Sequence, residues 1–97
     1  MSRKHKDFYV VTYDISLTRT RNRVSIILEK YGHRVNKSVF ECMVTQSQVY
    51  RMKNEISEII TKKTDSVIFY PLCQDCFSKI EYNQTAHPRA SIVKIIA

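Results

Sequence analysis

A single glycine, Gly32, stands in the 97 residues of this sequence. Phosphate-cradling loops of the Walker type and dinucleotide-binding turns each need several glycines to bring backbone close to phosphate, so both are excluded. Cysteines number three, Cys42, Cys73 and Cys76, an odd count and too few for a disulfide framework, as expected in a reducing compartment. No apolar run approaches the roughly 18 residues of a membrane span. The opening Met1-Ser2-Arg3-Lys4-His5-Lys6 is a charged tip without a secretory hydrophobic stretch. A cytoplasmic protein with no membrane partner is expected. Acidic residues are also scarce: nine Asp and Glu face sixteen Lys and Arg, a net charge of +7. That imbalance points to a polyanionic partner, nucleic acid first.

Repeats, low-complexity tracts and Pro/Gly/Ser linkers are all absent, so residues 1–97 read as one domain with a core over about 8–72. The β-branched and aromatic run over 8–15 predicts a buried strand that ends at a helix cap around Ser16 and Thr18. Val24, Ile27, Leu28 and Tyr31 follow at helical spacing, predicting a helix over 18–31 with Gly32 as its left-handed cap. The β-prone stretch 33–44 holds Asn36-Lys37 near its start and reads as a tight hairpin of two strands. Thr45-Gln46-Ser47-Gln48 resembles a capping box, and Val49, Met52, Ile56, Ile59 and Ile60 extend a second helix over 46–62. On that helix Glu58 pairs with Lys62, and Lys62-Lys63 complement the dipole. Val67-Ile68-Phe69-Tyr70 reads as a short buried strand stopped by Pro71, and 92–96 as a last strand. The order is strand, helix, strand pair, helix, strand, with an extra C-terminal strand: an α+β, ferredoxin-like βαββαβ chain. An apolar strand after a long polar connection, in a chain too short for a second sheet, predicts pairing with another protomer and hence a homodimer.

Two local anomalies point to chemistry. The first helix opens on Thr18-Arg19-Thr20-Arg21-Asn22-Arg23, where like charges at i,i+4 and cations near a helix N-terminus each cost a few tenths of a kcal/mol. Three arginines there either keep a surface solvated or, the favoured reading, contact phosphates alongside free backbone N–H groups. Asp14 ends a strand that otherwise reads as buried, so its carboxylate needs a salt bridge to Arg21 or Arg23, or a cation. Spacing leaves both open. Cys73-Gln74-Asp75-Cys76 is a lone C-x-x-C; zinc or redox work is the weaker reading, since two thiolates, or three ligands with His87, fall short of a structural zinc site, and thiols buried or partly buried at a strand end are expected. His5, His33 and His87 assemble no ligand set. Phe40 reads first as core, with base stacking or a dimer seam as the alternatives. A generic RNA-binding module of this fold is disfavoured because Phe40 has no neighbouring glycine.

Taken together, Tyr9-Val10-Val11-Thr12-Tyr13-Asp14-Ile15, Arg21-Asn22-Arg23-Val24 and the run from Tyr31-Gly32-His33 to Phe40-Glu41-Cys42 resemble the CRISPR-associated protein 2 family. The stretch from Asp65-Ser66-Val67 to Leu72-Cys73 is similar to that family's last core strand, so the resemblance covers roughly residues 8–80. It implies a homodimer of the CRISPR adaptation machinery that captures spacers with an integrase subunit. It also implies a magnesium-dependent endonuclease acting on single-stranded RNA or double-stranded DNA. Carried over residue by residue, the catalytic and metal-binding aspartate falls on Asp14, and nucleic-acid contacts fall on Tyr13, Arg21, Arg23, Arg34 and Phe40. The segment 73–97 would be an extension packing on the partner subunit. Across a two-fold axis, paired copies of Asp14 would hold Mg2+ over the phosphodiester while Arg21 and Arg23 grip the backbone. The competing implication is a non-catalytic scaffold that clamps duplex DNA in the integrase complex.

Overall fold

Aromatic and β-branched residues give the strand at the centre of the sheet, β1 (Asp7–Asp14). A computed structural model describes residues 5–81, in which β1 is followed by α1 (Thr18–Glu29), β2 (Gly32–Asn36), β3 (Val39–Val44), α2 (Gln46–Ser57), β4 (Ser66–Leu72) and α3 (Gln74–Ser78). The expected strand over 92–96 and His87 lie outside the described residues. All pairings are antiparallel, in the order β2-β3-β1-β4, giving an α+β chain with a four-stranded sheet.

Alternation along β1 sends Tyr9, Val11 and Tyr13 to one face and Phe8, Val10, Thr12 and Asp14 to the other. The first set joins Phe40, Cys42 and Val44 of β3 beneath Val24 and Leu28 of α1 and Val49, Met52 and Ile56 of α2, forming the core. Among the described residues the second face carries no long helix. The prediction of a strand buried on both sides is therefore corrected: Thr12 is half-buried and Asp14 exposed. β4 departs from expectation in the same way, since Val67 and Phe69 pack toward the core while Ile68 and Tyr70 are 44% and 47% exposed.

The hairpin is present, with β2 and β3 joined at Lys37-Ser38 and a bulge between Arg34 and Asn36. The capping box is also present: Thr45 Oγ1 accepts from the Gln48 N–H at 3.2 Å, and Gln48 Oε1 accepts from the Thr45 N–H at 2.8 Å. α2 stops at Ser57, however, short of the expected 62. Beyond it the chain closes a turn in which Asp65 Oδ2 accepts from the Thr61 N–H at 2.9 Å, a local bond that competes with helix. Lys62 and Lys63 thus belong to an exposed turn and not to a helix terminus. β4 runs through Pro71, which is tolerated because β4 is an edge strand.

Gly32 is not a left-handed cap; no residue with positive φ occurs among the described residues, and α1 ends with Lys30 in ordinary helical geometry. The glycine is needed for close approach. A Cβ there would run into the Glu41 carbonyl oxygen and lie 2.7 Å from Cys42 Sγ and 2.9 Å from Cys42 Cα on the neighbouring strand. Gly32→Ala should therefore lower stability by about 1–3 kcal/mol, read as a lower urea midpoint with unchanged slope.

Candidate nucleic-acid interface

Antiparallel register gathers one set of loops around the carboxyl end of β1. Asp14 pairs with Ser66 at the start of β4, and the Tyr13 N–H donates to the Ser38 carbonyl of the β2/β3 turn at 3.1 Å. The loop to α1 leaves from the same point. Asp14, the arginine-rich opening of α1, Lys37 and the Lys62-Lys63 turn are thereby drawn to one end of the sheet.

Asp14 is exposed on the open sheet face, and its side chain has no ion pair or hydrogen bond among the described residues. The anticipated salt bridge to Arg21 or Arg23 does not form. Arg21 is occupied instead in tying down the loop: Nη1 donates to the carbonyls of Ile15 and Ser16 at 2.9 and 2.8 Å, and Nη2 to Thr18 Oγ1 at 2.8 Å. These bonds replace the expected Ser16 or Thr18 cap. The N-cap is Leu17, 66% exposed, whose side chain cannot accept a bond from the first turn. Arg19 and Arg23 are exposed and have no partner among the described residues, leaving their charges available to an anion.

Arg21→Ala should accordingly cost about 1–3 kcal/mol of stability through unsatisfied loop carbonyls, whereas Arg23→Ala should change it by less than about 0.5 kcal/mol. Urea denaturation of the two variants checks this contrast. A salt titration of nucleic-acid binding should show Arg23→Ala reducing the salt slope by about one.

Tyr13, Arg34 and Phe40 do come together, but as structure. Phe40 is fully buried, and its ring centroid lies 6.3 Å from that of Tyr13. Arg34 lies over the Phe40 ring at 5.1 Å and donates from Nη1 to the Lys37 carbonyl at 2.6 Å, while the buried Tyr13 donates its hydroxyl to the same carbonyl at 3.3 Å. Neither aromatic presents a face to a base in this conformation. The half of Arg34 left exposed stays at the surface. Together the three side chains fix the turn that carries Lys37, and so set the shape of the Asp14 end.

Lys37, Lys62 and Lys63 are the residues a sequence reading passes over. Lys37 shows as a turn residue only, and the two other lysines are misread because the apolar stripe continues to Ile60 after α2 has ended. Among the described residues no three His, Cys, Asp or Glu side chains converge as a metal-ligand set. No helix among them is long and apolar enough to cross a membrane.

The structural class is thus a small α+β chain whose antiparallel sheet bears both long helices on one face and leaves a carboxylate at the end of the other. The family model for CRISPR associated protein Cas2 matches residues 7–80, and the chain belongs to that family. It is 41% identical over 68 residues to the CRISPR-associated endoribonuclease Cas2 4 of Rhodospirillum rubrum, a match covering 70% of this chain and 55% of that protein. The fold is similar to the crystal structure of Streptococcus pyogenes Cas2, with a TM-score of 0.74 and 33% identity over 79% of this chain and 99% of that one. It is also similar to a chain of a partial Cas6-RT-Cas1--Cas2 complex, with a TM-score of 0.67 and 29% identity, covering 79% and 90%.

Proposed function

We propose that this protein is a nuclease of the CRISPR adaptation machinery that acts on nucleic-acid phosphodiesters as a ferredoxin-like homodimer, with Asp14 as its catalytic carboxylate. The observation that carries the reading is an exposed, unpartnered carboxylate set among free cations at one end of an open sheet face. The names of the related proteins, endoribonuclease among them, support it. Met43, Ile68 and Tyr70 on that face are 42–47% exposed, an apolar surface suited to meeting its own copy across a two-fold axis. An axis near the Asp14 end would pair the two carboxylates.

One carboxylate per chain fits Mg2+, which keeps several waters and takes one or two carboxylates together with substrate phosphates. When bound, the ion supplies positive charge to the phosphodiester oxygens. Asp14 holds and orients that charge, Arg19, Arg23, Lys37, Lys62 and Lys63 bind the nucleic-acid backbone, and Arg21 keeps the β1/α1 loop in place. The likeness to a chain of a Cas1--Cas2 complex favours a second reading, a scaffold that clamps duplex DNA beside the integrase subunit. Matched duplex DNA and single-stranded RNA, incubated with the dimer in magnesium and in chelator, test the proposal. Magnesium-dependent cleavage of either supports it. Salt-sensitive binding without cleavage supports the scaffold, and a monomeric mass by light scattering at micromolar protein overturns the paired-carboxylate arrangement.

A further inference from the structure

The two cysteines that the nuclease reading leaves unused lie at the opposite end of the sheet from Asp14. They were expected to be buried or partly buried at a strand end; both are exposed, because β4 ends at Leu72 and the chain turns at once into α3. Cys73 is the N-cap of that helix, and its Sγ accepts from the Cys76 N–H at 3.3 Å. The Cys76 thiol lies close enough to the same sulfur for the two to shift each other's titration. Cα atoms three apart on a helical turn sit about 5 Å apart, within the roughly 4.4–6.8 Å that a disulfide spans. Phe77, the next residue, places its ring 4.0 Å from that of Phe8 at the end of the open face. A cleft of about 280 Å³ opens beside the first sulfur, with Lys6, Asp7, Phe8 and Phe77 in its lining.

We propose that Cys73 and Cys76 form a reversible dithiol/disulfide pair that exchanges with low-molecular-weight disulfides, Cys73 being the attacking sulfur. The Cys73 thiolate attacks one sulfur of the small disulfide, whose S–S bond breaks and releases one thiolate. Cys76 then gives its proton to solvent and attacks the Cys73 sulfur, expelling the second small thiolate. Two protein thiols are oxidised and one small disulfide is reduced to two thiols. The order of attack follows from the turn. The Cys76 backbone N–H, and then its thiol, hold Cys73 below the ordinary thiol range, while donation to Cys73 raises Cys76. Cys42 is the internal control: burial, then the neighbouring Glu41, push its thiol up to about 11, so it should not react. Closing the ring would fix the turn from which Phe77 reaches Phe8.

Oxidised glutathione and the full-length chain test the proposal. Trypsin releases both cysteines in one peptide, residues 64–79, separate from Cys42. After treatment and quenching, wild-type peptide should lose the mass of two hydrogens and carry no glutathione. Cys76→Ser should stop with one glutathione on Cys73, and in the untreated variant Cys73 should react with iodoacetamide at neutral pH about tenfold faster than Cys76 in Cys73→Ser. A wild-type peptide carrying two glutathiones, remaining unmodified or cross-linked between chains would overturn the pair. Equal alkylation rates in the two variants would overturn the assignment of the attacking sulfur.

Discussion

Asp14→Asn is expected to reduce magnesium-dependent cleavage by at least about 100-fold while leaving the denaturation midpoint within about 0.5 kcal/mol of wild type. Both halves follow from one feature. A buried, paired carboxylate would leave an orphaned arginine behind when replaced, and stability would fall with activity. Asp14 is exposed, and Arg21, one of the two arginines that could have paired with it, spends its donors on loop carbonyls. Removing the charge therefore disturbs no bond among the described residues. Asparagine keeps the shape and a carbonyl oxygen but loses the anion that a hard divalent cation requires. Cleavage assays beside urea denaturation of the same preparations read the two effects separately. Equal loss of both would show that Asp14 supports the fold.

Phe40→Ala is expected to cost about 3–5 kcal/mol, a large part of the roughly 5–15 kcal/mol that holds a domain of this size together. The ring is fully buried between Tyr13 and Arg34, on the strand that pairs with both β1 and β2. Its loss opens a cavity and frees the Arg34 guanidinium that steadies the Lys37 carbonyl. Nucleic-acid affinity should fall only as the folded fraction falls. Phe40→Leu separates packing from stacking, since it keeps an apolar side chain in the core and has no ring to place on a base. Affinity close to wild type in folded Phe40→Leu supports the packing role. A selective loss of affinity would return Phe40 to the interface.

These residues also show how much of the molecule the sequence carries on its surface. Element order was legible because each element declares itself locally, as at the Thr45/Gln48 box and the hairpin after Asn36. What was illegible depended on neighbours. Gly32 suggested a positive φ when the constraint was the backbone of β3 pressing against it. The run over 8–15 is equally apolar on both faces, so only the placement of both helices on one side shows that the Asp14 face lies open. Phe40 and Arg34 were grouped with the site by family pattern, and they are indeed beside it. Their contribution is to hold a turn, which no residue spacing could separate from contact with a ligand.

The carboxylate pair proposed across a two-fold axis can be counted directly. Mn2+, a spectroscopic stand-in for Mg2+, titrated into the wild-type protein and into Asp14→Asn and followed by electron paramagnetic resonance gives the number of ions held per chain. One ion per two chains, lost in Asp14→Asn, is the predicted result. One ion per chain, or binding undiminished by the substitution, would contradict a metal held between two copies of Asp14.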